Sequence, residues 1–504
     1  MALRNKIDSN STGLAYAEES ALGVLSSPRW VPLEPNEYDE FGGELSLVAR
    51  NPINSGRQRK KGAITDLEAA GGFNQDFTLE NTPDLLQGFV FASYRRKLEL
   101  PVTEVLVTGY EVADASAVLS GALFMASGFG TAANNGFKLA TGTGATEVQV
   151  SGLVAEATPP DTAKIVLVGR EHSAGVLSVD ATPGQLPRLN TSGDWSVLGL
   201  TPGEWIFIGG DDADERFDTA ANNGFKRIRE VTEDYLILDQ SLEAMADDTG
   251  TGKTIRVFFA RFLKNEADDS LIVRRSYHLE RQLSKPDTTD AYNQAEYIKG
   301  AVPSEMTINI ESADKMTIDL SFMATDFFTT ASDVGPLAGT RVTIDEADAF
   351  NTSSDIKHIR LAVQDANSES PTPLFGYVTD LTVSINNNVS ANKAVGVLGA
   401  FDVTVGSFEV GAEVTAYFTD VAAVETIRSN ADVGLFVCTV KENAGFVLDV
   451  PLVAVGSGRL EIETDEAIML PLEMNAGTAA KIDRLLDHTL SFSFFDYLPD
   501  LADD

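Results

Sequence analysis

The run DDTGTGKT (residues 247–254) carries Gly252, Lys253 and Thr254 in the order a phosphate-binding loop uses. In such a loop backbone N–H groups cradle the phosphates and the lysine meets their charge. Here Asp247 stands where the first glycine is required, so a carboxylate would occupy the phosphate nest. The following TIRVFF (254–259) reads as a strand rather than the expected helix, and a chance turn fits better. The loop GGDDADERFD (209–218) crowds carboxylates as calcium loops do, but lacks their central Gly and terminal Glu. It reads as an acidic loop with incidental, weak cation binding. His172, His278, His358 and His488 are isolated, with no HxxxH pairing, so no zinc site is expected. The single cysteine, Cys438 in the apolar run GLFVCTV, reads as a buried structural thiol and permits no intramolecular disulfide. No G-x-S-x-G elbow occurs. Among 75 Asp and Glu a glycosidase-like pair is conceivable, but such a pair is defined by distance in space and nothing local selects one. The expectation is a non-enzyme with no catalytic, cofactor-binding or metal-binding residue.

The elements that would position any chemistry come next. A length of 504 residues suggests about three or four domains. The apolar fraction of 43% is that of a globular chain. The N-terminus lacks the apolar core of a signal peptide and no run of about 18 apolar residues appears, so a soluble protein made in a reducing cytoplasm is expected. Thirty-eight Lys and Arg face 75 Asp and Glu, a net charge of −37. Such a chain is a poor candidate for gripping nucleic acid, yet it could enclose a polyanion and leave it mobile. Solubility or a saline medium would account for the acidity equally well.

Alternation dominates the pattern. EMTINI (305–310), KMTIDLSFM (315–323), DLTVSI (380–385), FDVTV (401–405), EVTAYF (413–418) and RLEIE (459–463) each read as half-buried strands. Helices are few. NTPDLLQGFVFASYRR (81–96) offers Thr82 as a cap, Pro83 for the first turn, and Leu85, Leu86, Phe89 and Val90 on one face. TDVAAVETIRSNA (419–431) is the second.

Two duplications organise these strands. The octapeptide TAANNGFK occurs at 131–138 and at 219–226, an offset of 88. SGALFMASG (120–128) and PGEWIFIGG (202–210) precede the copies; ATEVQVS (145–151) and EDYLILD (233–239), then KIVLVG (164–169) and TIRVFF, follow them. Residues about 103–170 and 187–262 read as two small β modules. The Asn-Gly pair suits a turn requiring positive φ, and Phe137 or Phe225 would start a strand facing the module core. A fainter duplication flanks them: 44–92 and 380–436 both run strand, loop, strand, turn, strand, helix. In 297–326 and 446–476 a Pro-bearing strand and a Gly/Ser turn lead to a two-strand hairpin. One β domain is thus present twice, with the module pair inserted in its first copy.

At this point the chain resembles the major tail tube proteins of long, non-contractile-tailed bacteriophages. The carriers are GLAYAEESALGVLSSPRWVPLEPNEYDEFGGELSLVARNPINSGRQRKKGA near the start, TPDLLQGFVFA, YHLERQLSKPDTTDAYNQAEYIKGAVPSEMTINIESADKMTIDLSFM (277–323), and LEMNAGTAAKIDRLLDHTLSFSFFDY at the end. They cover residues 1–97 and roughly 267–504. The resemblance implies a mainly β fold with two tail-tube-type β-sandwich or barrel domains and short packing helices. The expected division is 1–102 and 263–345 for tube domain 1, 103–170 and 171–262 for the inserted modules, and 346–504 for tube domain 2. It further implies a structural virion protein, assembled in the host cytoplasm, whose sheets join edge to edge into rings that stack into a tube. Self is the main partner; tape measure, tail terminator and distal tail proteins are others; genomic DNA passes through without specific binding, and no membrane is involved. Two domains per chain favour trimeric rings with pseudo-sixfold symmetry over hexamers, and the modules would decorate the exterior. Inter-ring contact is expected from the basic cluster Arg57, Arg59, Lys60 and Lys61, whose plainer reading is a solvated hairpin tip. Glu305, Asn309, Lys315 and Asp319 are expected to face the lumen, an assignment that a one-residue slip would reverse. The rival reading is an adhesin that holds glycan or protein on its repeated modules.

Overall fold

The computed structural model describes residues 7, 12–53, 56, 59–284, 292–331, 333–344, 347–364, 370–371 and 373–503. The chain is mainly β, as the alternation predicts, with two α-helices among the described residues. It forms two compact units: Met1–Ala92, Ser270–Ser353 and Thr379–Thr415 make the first; Ser93–Asp269, Ser354–Val378 and Ala416–Asp504 make the second.

The chain opens with β1 (Gly13–Glu18), β2 (Arg29–Leu33), the long hairpin β3 (Pro35–Arg50) and β4 (Lys60–Asp76), and α1 (Pro83–Val90). Next come β5 (Glu99–Val105), β6 (Gly109–Val112), β7 (Ala122–Ser127), β8 (Gly136–Thr143), β9 (Glu147–Val150) and β10 (Lys164–His172). They are followed by β11 (Leu177–Asp180), β12 (Arg188–Thr191), β13 (Trp205–Ile208), β14 (Gly224–Val231), β15 (Tyr235–Asp239), β16 (Ile255–Phe259) and β17 (Arg261–Lys264). Then run β18 (Tyr277–Ser284), β19 (Gln294–Glu311), β20 (Thr317–Ala324), β21 (Asp326–Thr330), β22 (Thr340–Arg341) and β23 (Ile356–Val363). The last stretch holds β24 (Val378–Asn386), β25 (Ser390–Lys393), β26 (Ala400–Thr404), β27 (Glu409–Tyr417), α2 (Val421–Arg428), β28 (Val433–Lys441), β29 (Ala444–Ser457), β30 (Met469–Ala476) and β31 (Ser491–Phe495).

The first unit is a sandwich whose two sheets share β19. Residues 295–301 of that strand pair with β18 and β21, and β18 continues through β1 to β2 and, in parallel, β22. Residues 302–311 pair with β20 on one side and β24 on the other, and β20 continues through β4 to β3. The switch falls at Gly300, whose φ of +62° is open to glycine and whose added Cβ would meet Thr325 at 2.3 Å. Beside it Glu19 is buried, accepting from the Gly300 and Gly23 N–H groups and from Ser276. Burial opposes ionisation of Glu19, but these bonds and that with His278 hold it below the usual carboxylate range. The alternating apolar residues Met306, Ile308, Ile310, Ile318, Leu320, Leu381, Val383 and Ile385 form the core.

Helix α1 packs Leu85, Leu86, Phe89 and Val90 into this core, with Phe89 against Phe322 at 5.2 Å. It is shorter than the pattern suggests, ending where Phe91 turns left-handed at φ 51°. Arg275 donates to the Ala92 carbonyl at 2.7 Å, serving the acceptors of that end. Thr82 precedes Pro83 but does not cap through its side chain. Its hydroxyl accepts from the Thr78 N–H and the Gln75 amide instead.

In the second unit the octapeptide modules are two barrels. The first closes in the order β5-β6-β9-β8-β7-β10 and back to β5. The second repeats this with β12-β15-β14-β13-β16. Its first strand is split: residues 169–172 of β10 pair with β16, and β11 pairs with β12. One strand therefore serves both barrels, which explains why 164–172 has no clean module boundary. Each barrel fills its own core, one around Tyr110, Phe124 and Ile165, the other around Trp195, Ile206, Leu238 and Val257.

The two octapeptides adopt the same turn. Gly136 and Gly224 have φ of +87° and +89°, as the Asn-Gly pair predicts. Each first asparagine is buried and bridges a distant segment with both ends of its amide: Asn134 to the Val154 N–H and carbonyl, Asn222 to those of Ala246. Each second asparagine, Asn135 or Asn223, does the same with Phe129 or Phe217. The phenylalanines correct the expectation. Phe137 and Phe225 point out of their barrels into a third cluster with Trp205, Phe207, Phe258, Phe436, Val447 and Phe495. Period 2 along β7 and β13 makes both faces apolar because both faces are covered.

The rest of the second unit repeats the branching of the first. β29 pairs with β28 and, over 445–449, with β31; its far end, 453–457, pairs with β30. This matches β19 with β18, β21 and β20. The expected strand at RLEIE (459–463) is absent as a ladder: only Glu461 bridges to Met469, and Ile462 is exposed. Gly458, at φ +88°, turns the chain out of the sheet, and β30 already occupies the pairing edge. In the first copy the expected turn after Pro303 is likewise a register shift inside the continuous β19.

Candidate assembly surface

The face of the β3-β4-β20-β19-β24 sheet turned away from the core mixes carboxylates with amides, hydroxyls and small residues. Period 2 puts Glu305, Thr307 and Asn309 of β19 there, beside Asp319 of β20 and Asn74, Glu68 and Asp66 of β4. Asp319 accepts from Asn74 at 2.7 Å and from Asn309 at 2.6 Å, and Glu305 accepts from Asn386 at 2.8 Å. Three of the four residues singled out from sequence thus share one face. Lys315 reaches the rim of the same face, where Asp76 stands with Asn74 on β4. It stands in the turn between β19 and β20, with Nζ 2.6 Å from Asp76.

Strand β3 lies at the sheet edge. Among the described residues it pairs with β4 alone, so its other edge carries no backbone ladder. Past the register shift at Asp39–Gly42 the hairpin continues with Leu45, Leu47, Val48 and Ile64 exposed. Arg50 faces Lys60 near its tip, and Arg59 and Lys61 are exposed beside them. Arg57 lies outside the described residues.

The corresponding hairpin of the second repeat ends in the β25–β26 pair. Lys393, at the end of β25, bonds Asp66 at 2.5 Å and Glu68 at 3.1 Å on β4. The contact lowers the Asp66 pKa and raises that of Lys393. The joint between the repeats is β19 on β24, running from Glu305↔Asn386 to Glu311↔Asp380.

The motifs weighed from sequence have other roles. Lys253 of the phosphate-loop look-alike is bound to Asp218 at 2.9 Å and the Ala213 carbonyl at 2.9 Å. Asp248 accepts from the Thr219 and Gly250 N–H groups, so it shapes the turn, and strand β16 follows. In the acidic loop Glu215 is paired with Arg256 at 2.7 Å. His172 and His488 are buried, and burial lowers their pKa values, that of His172 to about 3. His278 contacts Glu19 at 2.5 Å, and His358 is half-buried. Cys438 is buried within β28, where burial raises its pKa.

Sequence reasoning missed a buried ion network. Arg227 lies between Asp239 at 2.8 Å and Asp449 at 2.9 Å, and Arg229 joins Asp239 to Asp483, both at 2.9 Å. Burial opposes the Arg227 charge, but the two carboxylates more than offset it and raise its pKa. Burial likewise opposes the Asp239 charge, and the guanidiniums hold it low; Asp449 is pushed up by burial. The available signal was the arginine at the place where the first module has Leu139.

Among the described residues no helix is long and apolar enough to cross a membrane, and no cluster of His, Cys, Asp and Glu could hold a metal ion. No curated protein sequence matches the chain. The family model for the phage tail tube protein matches residues 9–476, nearly the whole length, and its β architecture agrees with the fold above. The chain belongs to the phage tail tube protein family, and its role is that of a structural component of the virion tail.

Proposed function

We propose that three copies of this chain close into a ring of six sheet repeats, and that such rings stack into the tail tube. The observation carrying this reading is the strand order. The β3, β4, α1, β18–β21 series recurs as β24, β27, α2, β28–β31, and the start of the second series already bonds the first through β19–β24. A chain containing two repeats and one joint needs three copies for six repeats. Closure removes the open edge of β3, and a head-to-tail contact along the axis generates a filament.

The face bearing Glu305, Asn309 and Asp319 lines the lumen in this reading. Its carboxylates repel DNA, and its amides are engaged with those carboxylates rather than free for bases. The two barrels decorate the exterior. The tube is assembled in the host cytoplasm with tape measure, terminator and distal tail proteins, and it performs no catalysis.

Native mass spectrometry of purified rings tests the count. Three copies of a 54.0 kDa chain are expected, with sixfold-like features in end-on electron micrographs. Rings of six chains would overturn the trimer while leaving the tube role intact.

A further inference from the structure

The same duplication assigns a partner to the free basic hairpin. In the second repeat the hairpin tip reaches back onto the first repeat, where Lys393 binds Asp66 and Glu68 of β4. The matching strand of the second repeat is β27. Leu67–Phe73 (LEAAGGF) and Phe408–Val414 (FEVGAEV) align without a gap, so Glu68 corresponds to Glu409. Leu67, Ala69 and Phe73 point inward, as do Val410, Ala412 and Val414. Glu409 and Glu413 are exposed on the outward face of β27. In the first repeat the tip is more basic than its counterpart, with Arg50, Arg59, Lys60 and Lys61 near the place Lys393 holds in the second.

We propose that the β3–β4 hairpin tip of one copy docks laterally on β27 of a second copy, with its basic side chains on Glu409 and Glu413. The occupant is a second copy because the chain already holds one instance of this contact, with opposite charges at the matched positions and an unpaired backbone edge beside them. This rests on the ring reading above. It places the basic cluster between neighbours in one ring, where the sequence alone suggests contact between rings.

The test uses the full chain and three variants: Arg59→Glu/Lys60→Glu/Lys61→Glu, Glu409→Lys/Glu413→Lys, and both sets combined. Either set alone places like charges in contact, and ring formation measured by native mass spectrometry is expected to weaken roughly a hundredfold. The combined variant is expected to recover rings. Folding is checked by circular dichroism, which should match the wild type since all five side chains are exposed. As a second measurement, Lys60→Cys and Glu409→Cys chains are mixed under mild oxidation; a cross-linked pair should form between copies, and far less when either cysteine is missing. Rings that form but fail to stack in the single-set variants would overturn the lateral contact and place it between rings. Failure of the combined set to recover rings, or absence of the cross-link, would overturn it too. If the wild-type chain itself formed neither rings nor tubes, the ring reading would fail first.

Discussion

At matched places on β8 and β14, one octapeptide offset apart, the first small barrel carries Leu139 and the second Arg227. Both side chains leave their barrel on the face that meets the β28–β29 sheet. Leu139 packs into the apolar cluster there, whereas Arg227 is wholly buried between Asp239 and Asp449, with Trp205 Nε1 donating to the same Asp449 oxygen at 3.2 Å. The turns that precede them share the same asparagine bonds to main-chain groups, and Asn134 alone also donates to Glu156, at 3.0 Å. The difference teaches that what faces the barrel's own backbone is held fixed, while what faces outward answers to the covering surface. The asparagines satisfy main-chain groups that no other side chain of that size would satisfy on both sides.

The largest effect should come from breaking the charged half of this comparison. Arg227→Met leaves Asp239 and Asp449 buried without their shared cation, a loss of about 3–5 kcal/mol. Leu139→Met, which conserves volume, should cost under about 1.5 kcal/mol. Hydrogen exchange of the β13–β14 and β7–β8 amides reads the two barrels separately; equal protection losses would sink the idea that one barrel depends on the ion network. Next come the aromatic pair. Phe225 is almost fully buried and touches Phe207 and Phe495, so Phe225→Ala should cost about 3–5 kcal/mol. Phe137 is only half-buried and stacks on Tyr497 at 4.2 Å, so Phe137→Ala should cost less. A Phe137→Ala loss as large as that of Phe225→Ala in thermal unfolding would show that the covering surface treats the barrels alike.

A smaller pair of losses is expected at the asparagines, the larger at Asn134, which also donates to Glu156. Asn134→Ala and Asn222→Ala each strand a buried N–H and carbonyl, for about 1–3 kcal/mol apiece. A larger loss from Asn222→Ala than from Asn134→Ala in a denaturant titration would mean that the bonds the two turns share carry unequal loads.

Much of this was legible in the sequence, for physical reasons that differ by region. Strands at 305–310, 315–323 and 380–385 could be read because one face is buried and the other wet, so the alternation is clean. The order of the faint duplication was legible for the same reason. RLEIE alternates as well, yet Gly458 and the longer β29 leave it no partner, and alternation alone cannot supply one. The outward course of Phe137 and Phe225 was hidden because β7, β13 and their neighbours are apolar on both faces, and period 2 then gives no sign of which face is the barrel's own. Glu305, Asn309 and Asp319 fell on one face by parity. Lys315 has the parity of Thr317 and Asp319, and beyond the Ala313 turn its amine meets Asp76. The Arg227 network joins residues 222 positions apart, a distance over which no local pattern speaks.

Acid should separate the barrels by the smallest margin, and in a direction that can be worked out. The first barrel has no histidine between residues 99 and 163, while His172, at the end of β10, is buried in the second against Trp195 at 5.1 Å. Its Nε2 finds no hydrogen-bond partner among the described residues. Burial first, and then the nearby Arg170, depress its pKa to about 3. A histidine depressed in the folded state binds its proton only after unfolding over the interval from about 6.5 down to about 3, so acid favours the unfolded form there. The second barrel should therefore lose about 1.4 kcal/mol per pH unit below about 6.5 from this residue, and the loss should level off near 3. Hydrogen exchange of β11, β12 and β15 against β5, β6 and β9, corrected for intrinsic rates at pH 7.5 and 5.5, measures the gap. His172→Phe should abolish it, since the ring is kept and the titrating nitrogens are removed. Equal slopes for both barrels in the wild type, or a slope that survives His172→Phe, would assign the acid response to the carboxylates that both barrels share.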